Sequence, residues 1–274
     1  MYLNTIIILK IIEMKYEISK YSLALLNASI IVGLIFLALY WLTGVSYNWQ
    51  LGAATCLKEG FCHCEVHDLS KLFAEPVNVY SSLLFLFFGL FIYFLSKYDE
   101  LLRQGRLFLI GSIFVFWGSV AYHGTLSQIG LAMDFLGIVA VMSVLYLSRV
   151  YEVGMSLKNI FLVVLVYFMT FIATYYYDEI GVPFLPQILV GSFGIYLIFS
   201  EKVRFWKYRY FKLVFILVAF YIFSYSMWWL GNIKEICFNS PFIHFHSLWH
   251  IGMSLSYYCL YMYVRNTTEL KSLN

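Results

Sequence analysis

The sequence predicts an all-α polytopic membrane protein: a seven-transmembrane helix bundle preceded by one transmembrane leader helix. Three observations carry that prediction. Of the 274 residues, 62% are hydrophobic, 21% aromatic and only 12% charged, which is more apolar surface than a soluble domain of this size uses. Several separate runs reach about 20 apolar residues, the length that crosses a bilayer core of about 30 Å. The basic residues gather in the connections on one side of those runs. The net charge of +3 is too small to argue for nucleic acid. The chain shows no internal repeat, glycine-rich phosphate loop or heptad series.

In chain order, residues 1–21 mix apolar positions with Lys10, Lys15 and Lys20 and read as an amphipathic inner segment. Residues 22–42 are the leader span. A signal peptide is the rival reading, but the run and its lead are both long and no small-x-small cleavage site follows. Residues 43–75 form the one long polar connection, an outer loop. It carries Cys56, Cys62 and Cys64, with Glu65, His67 and Asp68. Pro76 opens the next span, 76–96, in the first helical turn where proline is tolerated. Further spans fall at 107–125, 131–151, 159–177, 183–200, 210–231 and 244–264, so the core is 76–264 and 265–274 is an inner tail. With the amino terminus inside, 15 of the 18 basic residues lie on inner segments and only Lys58, Lys71 and Lys234 outside. Both termini are then cytoplasmic. Trp228, Trp229, Trp249 and Tyr175 to Tyr177 fall near the outer face and read as an aromatic belt, with Trp249 alternatively a wall of the site below. The cluster Lys202 to Lys212 reads as a topology signal that touches anionic headgroups.

Two stretches break the apolar pattern with ionisable groups, which are costly in a membrane and therefore candidates for function. One is WGSVAYHGTLSQIGLAMD, Trp117 to Asp134; the other is HSLWH, His246 to His250. Ser119 and His123 are four apart and share a helix face, as do His246 and His250. His244 faces elsewhere and reads as interfacial. The alternating spans place His123, Asp134, His246 and His250 at one depth, near the outer face. Taken singly, each has a plainer explanation: an interhelical hydrogen bond for a histidine, back-bonding for a serine, a cap for an aspartate. Their coincidence at one depth is more specific. Zinc takes nitrogen ligands at about 2.0–2.1 Å, with three protein ligands and an open position in catalytic sites. Histidines at i and i+4 stand about 6 Å apart along the axis and can converge on one ion, with His123 as third ligand. Bound zinc lowers the pKa of water to about 7. Asp134 can then accept a proton, and Ser119 can donate to a developing oxyanion, an effect typically worth about 10²–10³ in rate.

These residues resemble the alkaline ceramidase family, within the seven-helix membrane hydrolases that include adiponectin-type receptors and GPI-remodelling lipases. Three blocks carry the resemblance: AEPVNVYS (Ala74 to Ser81), GSVAYHGTL with Asp134 following, and LWHIG with Trp249 and His250. They frame residues 62–264 and leave the leader outside. The resemblance implies His123, His246 and His250 as zinc ligands, Ser119 as oxyanion stabiliser and Asp134 as proton carrier. It implies cleavage of a ceramide-like lipid to a sphingoid base and a fatty acid. The chain departs from the pattern where Phe135 replaces a glutamate after Asp134. The family also carries a calcium site, to which Glu65 and Glu75 correspond, but Cys62-His63 stands in place of an Asp-Trp pair and the acids are one residue closer. Two other accounts of that loop stand beside calcium. One is a disulfide among Cys56, Cys62, Cys64 and Cys237, for which three full pairings are open. The other is a second metal on Cys62, Cys64, His63 and His67. The rival functions are a phospholipid or lipid-anchor ester hydrolase with the same metal, and a receptor or lipid-binding protein with a structural zinc. Paired broken helices of the inverted-repeat transporter kind are not seen. The sequence leaves the oligomeric state open.

Overall fold

The computed structural model describes residues 2–46, 62–153, 157–176, 208–237 and 243–269, with side chains over 14–46, 62–144, 161, 164–176, 212–237 and 243–266. Among these residues the protein is helical. The α-helices are α1 (Tyr2–Thr43), α2 (Pro76–Tyr98), α3 (Leu102–Thr125), α4 (Gln128–Val153), α5 (Leu157–Tyr175), α6 (Tyr208–Gly231) and α7 (Phe245–Glu269). The span expected at 183–200, the inner cluster from 202 to 207, and Cys56 and Lys58 lie outside the described residues. Among the described residues, four helices are long and apolar enough to cross a membrane: Met14–Thr43 of α1, α2, α3 and Lys212–Gly231 of α6. The expected count of seven core spans is thus met only in part. α7 falls short of that apolar criterion because His246, His250, three serines and its tyrosines dilute it. The described stretches of α4 and α5 are apolar but shorter.

α1 differs from the expected 22–42 span by running unbroken from Tyr2. Its carboxyl-terminal half lies on α2: Leu39 joins Val79, Leu83 and Leu86 in one apolar cluster. The Thr43 and Tyr80 hydroxyls are hydrogen-bonded, and Phe36 packs on Tyr80 at 5.2 Å between centroids. The middle of α1 is held by charge. Lys20, only 4% exposed, reaches Asp99 Oδ1 at 2.8 Å and Glu17 at 2.6 Å. Arg265 of α7 contacts the other Asp99 oxygen at 3.0 Å.

α2 is central, packing on α1, α3 and α7; α4 packs on α3 and α5, and α6 on α7. Its start is capped from a distance. Pro76 removes one amide donor, and the next two, from Val77 and Asn78, donate to the two oxygens of Glu65 at 2.6 and 2.9 Å. That pairing satisfies donors the helix itself cannot. α3 and α4 come closest at Gly118, where a Cβ would collide with the Met133 carbonyl and stand 3.0 Å from Asp134 Cα. This approach sets Asp134 beside the turn that bears Ser119. The corner between the two helices is tight: buried Leu126 adopts a left-handed conformation (φ 46), and Ser127 Oγ caps α4 by accepting the Gly130 amide at 3.1 Å.

Candidate metal centre

The carboxyl end of α3 and the amino ends of α2 and α7 meet at one end of the bundle, together with the loop 62–75. His123, His246 and His250 are all buried there, and each offers a ring nitrogen within 4.8 Å of the other two. Nε2 of His246 is 3.1 Å from Nε2 of His123. Two nitrogens bound to one tetrahedral ion at 2.0–2.1 Å stand about 3.3 Å apart, so the pair already has nearly the spacing a shared ion demands. The other face of His123 is held by Glu75, whose Oε2 lies 2.7 Å from Nδ1. Ser81 Oγ holds His250 Nδ1 at 2.6 Å. Both contacts fix the outward nitrogen and leave Nε2 directed inward, the arrangement that metal-binding histidines use. The residues present therefore fit a nitrogen-ligated metal ion.

The groups beside the cluster are also placed. Ser119 Oγ is 3.4 Å from His250 Nε2 and 2.7 Å from Ser82 Oγ. Asp134 is buried, and its Oδ1 has no hydrogen-bond partner. Trp249 is 7% exposed and packs at 5.1 Å from His246 and 4.8 Å from His250. It is a wall of this site, and the belt reading fails for it because α7 turns that face inward. Trp229, Tyr175 and Tyr176 are exposed, and Tyr177 lies outside the described residues. His244 is buried, not interfacial. It opens α7 as the capping residue: its amide donates to Ser247 Oγ at 2.9 Å, and its carbonyl accepts from Ser247 Oγ and the Leu248 amide.

In the loop the cysteines take the disulfide account. Cys64 is bridged to Cys237 across 173 residues, with Cα atoms 5.2 Å apart, and Cys62 is disulfide-bonded as well. A second metal on Cys62, Cys64, His63 and His67 is therefore excluded, because disulfide sulfurs are not thiolate ligands. Calcium at Glu65 and Glu75 would have to compete with the contacts these carboxylates already make. Calcium needs six to eight oxygens, whereas Glu65 accepts two backbone amides and Glu75 faces nitrogens of His63, His123 and Asn78. Burial pushes the Glu65 carboxyl up to about 8, against the pull of those two amides. Burial also works against ionised Glu75, but His63 and His123 outweigh it and hold its carboxyl well below the usual range. His67 is half-buried. Exposed Asp68 accepts from Ser70, which lowers its carboxyl.

Sequence reasoning missed Glu75, Ser81 and His63 as supports of the cluster. The only available signal was that Glu75 and Ser81 sit within the AEPVNVYS block.

A bundle of apolar helices with a buried three-histidine cluster at one end defines a membrane protein with a metal-competent site. The chain matches the Ceramidase family over residues 61–272 and belongs to that family. The expectation drawn from the three motif blocks is thereby met, and membership supports a ceramide-hydrolysing enzyme. No curated protein matches the chain.

Proposed function

We propose that this chain is a zinc-dependent amidohydrolase that cleaves the amide bond of ceramide-like lipids. His123, His246 and His250 would hold zinc through Nε2. The convergence of these three nitrogens, two of them backed by Glu75 and Ser81, is the observation that carries the reading. Zinc bound there would supply Lewis acidity and acidify water near neutral pH.

The rest falls to the chain's own side chains. Glu75 and Ser81 keep the imidazoles oriented. Ser119, with Ser82 at its back, donates its proton to the carbonyl oxygen as that oxygen gains charge. Asp134 takes a proton from water and returns it to the departing amine nitrogen, since its carboxylate oxygen has no competing partner. Trp249 shuts bulk water from one side. The acyl and sphingoid chains would lie along apolar helix faces, with the amide at the cluster. The 76–264 core would carry the chemistry, with 2–43 as an added helix. Both termini would be cytoplasmic and the site near the outer face, as the basic residues indicate.

The test uses purified protein assayed for bound zinc and for sphingoid-base release from a ceramide panel, with phospholipid esters in parallel. One zinc per chain and base release that chelation abolishes are expected. Zinc-loaded protein that turns over esters but not ceramides would transfer the reading to the ester-hydrolase rival. Zinc without turnover of either would transfer it to the receptor rival.

A further inference from the structure

We propose that His63 is a positioning residue for two of the metal-facing histidines at once: it shares the Glu75 carboxylate with His123 and covers the ring of His246. The inference rests on the reading of His123, His246 and His250 as zinc ligands and goes beyond it. A ligand imidazole needs its outer side fixed, and loss of such a support typically lowers metal affinity about 10–100-fold. Two of the three have a hydrogen bond for this: His123 to Glu75 and His250 to Ser81. His246 has none, because its Nδ1 is buried without a hydrogen-bond partner. Ring contacts must orient it. The nearest is His63, with centroids 4.1 Å apart.

His63 meets the same centre from its other side. Its Nδ1 lies 3.3 and 3.2 Å from the two Glu75 oxygens. Glu75 is fully buried and also takes the Asn78 amide at 3.1 Å. A lone buried carboxylate would swing or protonate; bracketed by His63, Asn78 and His123, it stays aimed at His123. His63 is in turn fixed by its neighbours in sequence, since Cys62 and Cys64 are both disulfide-bonded. The Cys64–Cys237 bridge ties the residue beside His63 to the short helical turn that follows α6. Tyr122 closes the edge at 5.7 Å and 81°.

His63, Glu75 and His123 also lie close enough to hold an ion themselves. Such an ion would take His123 Nδ1 from Glu75 while Nε2 served the first, and so break the 2.7 Å contact that orients His123. The positioning role keeps every contact intact.

The experiment compares detergent-solubilised wild type with His63→Ala, His63→Gln and His63→Phe. Zinc affinity is read by chelator competition, site geometry by the absorption bands of the cobalt-substituted protein, and stoichiometry by elemental analysis. One zinc per chain is expected throughout. His63→Ala should bind zinc about 10–100-fold more weakly with altered cobalt bands. His63→Gln keeps a donor for Glu75, His63→Phe keeps a ring for His246, and each should recover part of the loss. Wild-type affinity and cobalt spectrum in His63→Ala would overturn the inference while leaving the zinc reading intact. If His63→Ala does not fold, wild-type affinity in both other variants overturns it equally. Two zinc ions per chain, one lost on substitution, would also overturn it and make His63 a ligand. Zinc-free wild type would overturn the underlying zinc reading and this inference together.

Discussion

Two buried polar clusters stand at opposite ends of the bundle, and they differ in whether they satisfy themselves. Where α2 and α7 end, Lys20 and Arg265 face Glu17 and Asp99. Tyr261 donates to Asp99 at 3.1 Å, and Arg265 to the Tyr21 hydroxyl at 2.7 Å. Two cations meet two anions, and the cluster is closed. Where α2 and α7 begin, the histidine cluster is open. Inward nitrogens converge, while Asp134 Oδ1 and His246 Nδ1 are buried without hydrogen-bond partners. Burial of ionisable groups is common to both, so burial alone does not mark a site. What marks it is polar capacity left over and aimed at one point.

Substitutions at each end should therefore fail in different ways. His250→Ala is the most severe for function: it removes an inward nitrogen, and zinc affinity and ceramide turnover should each fall by more than about 100-fold, with helical content by circular dichroism unchanged. Equal activity in wild type and variant would put the two clusters in one class. Asp99→Ala removes the buried anion that Lys20 and Arg265 share and leaves them only the more exposed Glu17. Breaking such a buried pair typically costs about 3–5 kcal/mol, so thermal unfolding in detergent should come much earlier. Zinc bound per folded chain should be unchanged; a parallel loss of zinc would show that the two ends are coupled.

Ser119→Ala sharpens the comparison within the open cluster. It removes a donor without removing a nitrogen, so zinc stays while turnover of ceramide falls about 10²–10³-fold. Unchanged turnover would reduce Ser119 to a packing partner of Ser82. Glu65→Ala is the smallest. It deletes the long-range cap of α2, and cap losses run about 0.5–2 kcal/mol. Because burial raises this carboxyl from 4.5 to about 8 in the folded chain, the folded state holds the proton more tightly than the unfolded one. The wild-type advantage over Glu65→Ala should shrink as pH rises through that window. An advantage that grows with pH, read from melting temperatures, would contradict the assignment.

The histidine triad was legible in the sequence because two periodicities expose it: four-residue spacing puts pairs on one helix face, and alternating spans put distant segments at one depth. Ser119 and Asp134 followed from the same logic. The supports were not legible. Glu75 and His63 come from an irregular loop, where no period says what a side chain meets, and acidic residues there fitted a cation as readily as an imidazole. The cysteines were seen but could not be paired, since Cys64 and Cys237 meet only through the tertiary fold. Lys20 read as part of an amphipathic lead-in because its partner Asp99 is 79 residues away. His244 was misread, and Trp249 left between belt and wall, for a related reason. An aromatic or imidazole group at a membrane rim suits the interface and the interior alike, and only the rotation of α7 decides.

The central claim is that three imidazoles meet at one ion, and zinc-edge X-ray absorption on the purified protein tests it most directly. The account predicts a first shell of three nitrogens and one oxygen at about 2.0–2.1 Å, lost in His123→Ala. A sulfur-containing shell, an all-oxygen shell, or zinc that survives that substitution unchanged would contradict it.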